Sequence, residues 1–299
     1  MPVRTFTWKD LNRLLKFAGD IQANNPKDQL TRAQELKETL EQPTFRPETN
    51  CFILENNGII TGYCIVFLEQ KIKRAVLAVD VSPDLAASSS EATLIRQGIE
   101  LAKRSGSSVA HICLGNDTLR SSLLESEKFT LARTYLHMLW DLEYLPQITL
   151  PDSFTTTVYT SNDAEKLKVI QNATFEGSWG FCPNTVEEIE YRTTLSNTTY
   201  DSIVFLEDDT TNTAAYCWGC IAPFNGGTRG IISMIGVHPI YRGKGLSKPI
   251  LVAGMHQLNS LSVNGISLHV DSDNIPAIKL YQSVGFEEID KLHWYEYKL

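Results

Sequence analysis

A faint internal repeat runs through the 299 residues of this chain. In the first half, strands are expected at 59–67 and 74–81, the second ending in Val81-Ser82-Pro83. A helix over 91–104, a strand over 109–114, Asn116, Phe129 and a closing strand over 131–142 follow. The second half repeats the order. Strands are expected at 214–222 and 230–237, the latter ending in Val237-His238-Pro239, then a helix over 246–258 and a strand over 265–270. Asn274, Phe286 and a closing strand over 289–298 complete it. Pro239 lies 156 residues after Pro83, Asn274 158 after Asn116, and Phe286 157 after Phe129. Landmarks that hold nearly one offset indicate duplication. Each half reads as one α/β unit, and Pro146 and Pro151 punctuate the join between them. The expected division is 1–146 and 147–299.

Each half also opens with helices. Thr7 is placed to cap one that carries Trp8, Leu11, Leu14, Leu15 and Ile21 on one face. Ser161 or Asp163 is placed to cap another around Leu167, Ile170 and Phe175. Thr185-Val186-Glu187-Glu188 fits a capping box, so a second short helix should begin there.

Composition narrows the partners. The chain is 42% hydrophobic and 21% charged, as in ordinary soluble proteins. It has no run approaching the roughly 18 apolar residues of a membrane span, and its first residues lack the apolar core of a secretory signal. No membrane partner and a cytoplasmic location are expected. The net charge of −8 argues against a general nucleic-acid binder. Cys217-Trp218-Gly219-Cys220 has redox spacing, but it sits in a strand, where residues three apart point to opposite faces. A thioredoxin-like thiol needs a helix N-terminus instead, so the cysteines read as buried and unreactive. No second cysteine pair follows, and no metal is expected.

One segment carries recognisable chemistry. Val237-His238-Pro239-Ile240-Tyr241-Arg242-Gly243-Lys244-Gly245-Leu246-Ser247 joins an apolar strand to a helix. Gly243 and Gly245 let the backbone turn sharply and approach a ligand. The helix that follows offers free N–H groups and the positive end of its dipole to a phosphate or pyrophosphate. Arg242 and Lys244 add cationic donors at the rim. The pattern is neither a Walker loop nor a GxGxxG fingerprint, and Gly-rich strand-to-helix turns also occur without ligands. Further on, Asn274 starts a short helix that Gly285 stops before Phe286.

Arg242-x-x-Gly245-x-Ser247 after a Val-x-Pro strand end, followed by Asn274, Ala277, Leu280-Tyr281 and Gly285-Phe286, resembles the GNAT superfamily of N-acetyltransferases. The likeness covers roughly 230–286. Ser247 stands where that family prefers Gly or Ala. Pro249 falls in the first turns of the helix, tolerable if its missing N–H is among the free ones there. The resemblance implies an α/β fold of two tandem GNAT-like domains, each a mixed central sheet flanked by helices, with acetyl-CoA as co-substrate. It implies that the backbone of Ile235 and Val237, on a splayed strand, pairs with the pantetheine arm. The amides of Arg242, Gly243, Lys244, Gly245, Leu246 and Ser247 would hold the pyrophosphate, Asn274 would face the pantetheine, and Tyr281 would protonate the departing thiolate. A phenol of pKa about 10 is a reasonable donor to a thiolate. At helix spacing from Ala277 and Ile278, Tyr281 is also readable as a core residue. Candidate bases for the attacking amine are His238, His269, Glu176 and Glu207, and the sequence favours none.

The first half has lost these features. Ala86-Ala87-Ser88-Ser89-Ser90-Glu91 stands opposite the glycine turn, without its glycines or cations and with an acid where a phosphate would lie. No tyrosine follows Asn116 at the catalytic position, so this half should be a degenerate, silent copy. Tandem halves with a worn first copy resemble the mycothiol synthase type of the family. So does the loop Phe175-Glu176-Gly177-Ser178-Trp179-Gly180-Phe181, which implies an amine acceptor near Trp179 and Phe181; it also reads as a hydrophobic hinge between two helices. The function expected is transfer of an acetyl group from acetyl-CoA to the amine of a small molecule, by direct attack in a ternary complex in 147–299. The alternative is a non-catalytic coenzyme A-binding sensor or a structural pseudoenzyme. Oligomeric state is not legible.

Overall fold

The computed structural model describes residues 2–21, 25–141, 144–224 and 227–299. Leu142, the expected end of the first closing strand, lies outside them. The chain forms two compact units, Met1–Tyr135 with Lys291–Leu299, and Leu136–Asp290. It therefore does not divide once at residue 146, because each unit takes its last strand from the other half of the sequence.

In the first unit, β1 (Val3–Thr5), α1 (Leu11–Asp20), α2 (Pro26–Leu40) and α3 (Pro47–Asn50) precede β2 (Cys51–Asn56), β3 (Ile59–Glu69) and β4 (Arg74–Val81). Then come α4 (Ser89–Arg104), β5 (Val109–Leu114) and α5 (Thr118–Ser126), and β6 (Thr130–Trp140) leads out. The second unit contains β7 (Phe154–Val158), α6 (Ala164–Phe175), α7 (Val186–Thr193), β8 (Ile203–Asp208), β9 (Thr213–Phe224) and β10 (Gly227–Val237). It continues with α8 (Ser247–Ser260), β11 (Ile266–Asp271) and α9 (Ile275–Gln282), and β12 (Glu287–Lys298) returns to the first unit. Among the described residues, no helix is long and apolar enough to cross a membrane.

The strand order is β1-β2-β3-β4-β5-β12 in the first unit and β7-β8-β9-β10-β11-β6 in the second. From His293 to Lys298, β12 pairs antiparallel with Leu114 to Val109 of β5. The end of β6 buries Met138 and Trp140 in the second unit's core. Both sheets are mixed, since β4 and β5 run parallel, as do β10 and β11. Each parallel pairing is short. Arg74 to Val76 meet Val109 to His111, and Gly230 to Ile232 meet Ile266 to Leu268. These registers lie 156 and 157 residues apart in the numbering, so the repeat is one of structure as well as sequence.

Helices cover both faces of each sheet. In the second unit, Ile250, Leu251, Met255 and Leu258 of α8 pack on Cys217, Leu268 and Val270, while Leu167, Ile170 and Ile189 of α6 and α7 pack on Phe205, Tyr216 and Trp218. Gly98 of α4 and Gly254 of α8 sit 156 residues apart in equivalent helices. A Cβ on Gly98 would meet Leu77 at 2.6 Å, and one on Gly254 would meet the Cys217 sulfur at 2.2 Å. Cys217 and Cys220 do lie on opposite faces of β9, and burial raises both thiols, Cys217 to about 12. The Thr185 capping box forms as expected, with Glu188 accepting from the Thr185 N–H at 2.7 Å. Two starts differ. A single 3-10 turn over Trp8–Asp10 precedes α1, and Trp8 is exposed rather than on the buried face. Asp163 precedes α6 without capping it, because its carboxylate turns back to accept from Thr160.

Candidate active site

The turn between β10 and α8 is built from its own backbone. His238 Nδ1 accepts from the Ile240 N–H at 3.4 Å, starting a 3-10 turn over Pro239–Tyr241. Gly243 and Gly245 follow with φ of 79° and 76°, the left-handed region that glycine enters without a steric penalty. A Cβ at either position would meet nothing within 4 Å, so this backbone faces open space. Leu246 is buried and anchors the start of α8. No side chain caps that helix. Among the described residues, the N–H groups of Gly243, Gly245, Leu246 and Ser247 meet no acceptor. Pro249 is the third residue of α8, where no intrahelical N–H bond is lost.

Two members of the expected amide cradle are already engaged. The Arg242 N–H donates to Pro239 O at 3.2 Å and the Lys244 N–H to Tyr241 O at 3.4 Å. The exposed Arg242 guanidinium donates to Thr174 O at 2.8 Å and to Val237 O at 3.4 Å, tying the turn to the end of α6. The Lys244 ammonium stays at the turn, 4.7 Å from the centre of the Tyr241 ring. The Tyr241 hydroxyl donates to Asp208, holding that carboxyl well below the usual range. This brace from the β8–β9 turn had no signature in the sequence.

Beyond Ile232 and Leu268, β10 and β11 part, although β10 runs on to Val237 and β11 to Asp271. On its other side β10 remains paired with β9, where Ile235 faces Cys217 and Val237 faces Ala215. Among the described residues, one backbone edge of β10, Ile235 and Val237 included, is thus left without a strand partner. Asn274 caps α9, its side-chain oxygen accepting from the Ala277 N–H at 3.3 Å. That oxygen serves the helix. Tyr281 is buried among the residues under α8, next to Phe286, and burial pushes its phenol well above the ordinary tyrosine value. It therefore keeps its proton throughout the neutral range and, without substrate, is a weaker acid than the ordinary phenol the sequence led one to expect.

Trp179 and Phe181 lie in the loop between α6 and α7, both partly buried, with Phe181 5.4 Å from Phe175. Asn172 clamps this loop by bonding both the N–H and the carbonyl of Asn184. The candidate bases fare poorly. Glu207 is ion-paired with Lys166, His238 caps its turn, and Glu176 is exposed at the end of α6. His269 stacks on His137 at 4.5 Å, and burial followed by that neighbour lowers it to about 4. Such an imidazole is a weak acceptor for an ammonium proton.

The corresponding turn of the first unit is filled from within. Ala87, 156 residues before Gly243, keeps a left-handed backbone with φ of 57°. Its N–H donates to the carboxylate of Glu91 at 2.7 Å, and Arg120 donates to the same carboxylate at 2.7 Å. Ser88 caps α4 by accepting from the N–H groups of Ser90 and Glu91. An internal anion and an internal cap thus satisfy donors that α8 leaves open. The cap equivalent to Asn274 is Asp117, one residue beyond Asn116.

Residues 164–286 match the model of the acetyltransferase (GNAT) family. That segment is a GNAT acetyltransferase domain. Similar sequences include the mycothiol acetyltransferase of Renibacterium salmoninarum, 28% identical over 159 residues, which are 51% of this chain and 46% of that protein. The mycothiol acetyltransferase of Rhodococcus erythropolis is 28% identical over 160 residues, 49% of this chain and 51% of that protein. The matches thus span about half the length of these relatives. Among solved structures, a GCN5-related N-acetyltransferase from Sphaerobacter thermophilus shares the fold with a TM-score of 0.73 and 16% identity, over 99% of this chain and 95% of that one. A tandem GNAT protein from the clavulanic acid biosynthesis pathway shares it with a TM-score of 0.71 and 13% identity, over 99% and 98%. The fold is that of tandem GNAT domains.

Proposed function

We propose that this protein is an acetyl-CoA-dependent N-acetyltransferase that acetylates the amine of a small molecule by direct attack in a ternary complex. One observation carries the reading: the uncapped, glycine-cradled start of α8 lies at the end of the strand that parts from β11. The open amides of Gly243, Gly245, Leu246 and Ser247 suit a pyrophosphate. The free edge of β10 around Ile235 suits an extended amide-bearing arm, bound like an added strand. Bound there, acetyl-CoA supplies a thioester carbonyl. The amine nitrogen forms a bond to that carbon as the carbon–sulfur bond breaks, and Tyr281 gives its proton to the departing sulfur.

In this reading the second unit, Leu136–Asp290, is the catalytic one, and the first is a degenerate copy whose turn Glu91 fills. None of the four candidate bases is well suited, so the amine enters neutral, and the proton its nitrogen sheds on forming the amide passes through water and restores the Tyr281 phenol. Release of free thiol from acetyl-CoA with a panel of small amines tests the activity. Tyr281→Phe should lower kcat at least tenfold with acetyl-CoA affinity unchanged. An unchanged rate would remove Tyr281 as the acid. Binding of acetyl-CoA with no turnover on any amine would favour a coenzyme A sensor.

A further inference from the structure

On the face of β9 turned toward α6 and α7, polar side chains are buried without partners. Tyr216 and Trp218 share that face and are 0% and 1% exposed, yet the Tyr216 hydroxyl and the Trp218 indole N–H meet no partner. Gln171 of α6, 0% exposed, leaves both ends of its amide unpaired. The hydroxyl of Thr174, one turn further along α6, is unpaired as well. Buried polar groups in native proteins are nearly always satisfied, so several orphans in one region indicate a missing ligand or ordered water.

Arg192 of α7 decides between them. Its guanidinium lies 4.9 Å from the centre of the Trp218 ring and donates to Asn184 Oδ1 at 3.2 Å. It is part-buried, burial lowers its pKa, and among the described residues no carboxylate lies within ion-pair distance of it. Glu188, the acid that acts on it electrostatically, is taken up in the cap of α7. A part-buried guanidinium whose nearest acid is not in contact with it gains from an anion placed against it. Arg and Trp can only donate, and the Gln171 amide and Tyr216 hydroxyl can donate too. A planar carboxylate answers this set, pairing with the guanidinium and neutralising it. Water or a sugar hydroxyl would bring no charge to pair with the guanidinium.

The cluster also borders the splay. Tyr216 is paired with Gly236 on the part of β10 that has left β11. Thr174 packs on Gly236 so closely that a Cβ there would lie 2.0 Å from its methyl group. We propose that Arg192, with Gln171, Tyr216 and Trp218, binds a carboxylate on the acceptor, so that the substrates are amines that also carry a carboxylate. The proposal rests on the acetyltransferase reading and names its substrate class.

The test is an NMR titration of the full chain labelled with 15N at its indole groups, the Trp218 signal being assigned with Trp218→Phe. Glycine and acetate should each move that signal saturably, and ethylamine at equal ionic strength should not. Arg192→Gln should weaken the glycine response tenfold or more. Tyr216→Phe, which removes one hydroxyl, should weaken it severalfold and serves if Arg192→Gln does not fold. No saturable response to carboxylates, an equal response to ethylamine, or a response unchanged in both variants overturns the proposal and leaves a buried water cluster. Acetyl-CoA binding on the same samples separates the claims. A chain that binds acetyl-CoA but ignores carboxylates loses only this proposal, whereas one that ignores acetyl-CoA loses the reading beneath it.

Discussion

Ala87 and Gly243 hold the same left-handed turn 156 residues apart, with φ of 57° and 79°. Lys128 and Gly285 form a second such pair, 157 apart, with φ of 70° and 99°. An L-residue in this region costs roughly 1–2 kcal/mol relative to the right-handed one. The first unit therefore holds, without glycine, backbone turns that glycine eases in the second. Ala87→Gly should stabilise it by about 1 kcal/mol, less the extra entropy of the unfolded chain, seen as a higher denaturation midpoint. An unchanged or lower midpoint would mean that the turn is not strained. The loss of glycine was legible in the sequence, but the retained conformation was not, because residue type does not report φ. Arg242 shows the same limit. Its charge beside two glycines read as a phosphate donor, and nothing in the pattern revealed that its guanidinium reaches back to Thr174 O.

At the scale of elements, α4 and α8 begin alike in sequence position and differ in what satisfies them. Glu91 is 1% exposed and accepts from Ala87 and Arg120, while α8 keeps its first N–H groups open. Breaking a buried ion pair by removing one partner costs about 3–5 kcal/mol. Because Arg120 is partly exposed, Arg120→Leu should fall at the lower end, about 3 kcal/mol, in the unfolding free energy of the first unit. A loss below about 1 kcal/mol would show that Glu91 is held by the turn alone. Most strands and helices were legible from their periodicity, and Thr185 and Asn274 from their capping chemistry. Asp117, not the repeat landmark Asn116, caps α5. The carboxylate pocket was hidden for another reason. Tyr216 and Trp218 alternate on a strand like any core pair, and only their missing partners set them apart.

Across the whole molecule, the repeat predicted two units but not how they are closed. β6 and β12 occupy equivalent positions in the two halves, so the sequence contains nothing that chooses which sheet each joins. The structure gives Lys291–Leu299 to the first unit and the end of β6 to the second. Truncation after Asp290 should therefore speed amide exchange in β5, which pairs with β12, and leave β8 and β9 protected. Faster exchange in β8 and β9 with β5 unchanged would contradict that assignment. On the proposed function the chain holds a single working donor site, in the second unit, and a first unit whose turn is filled by its own glutamate. Calorimetric titration of acetyl-CoA into the full chain tests it most directly. One site per chain is expected, abolished by Gly245→Glu through steric and like-charge conflict with the pyrophosphate. Two sites, or one that survives Gly245→Glu, would contradict it.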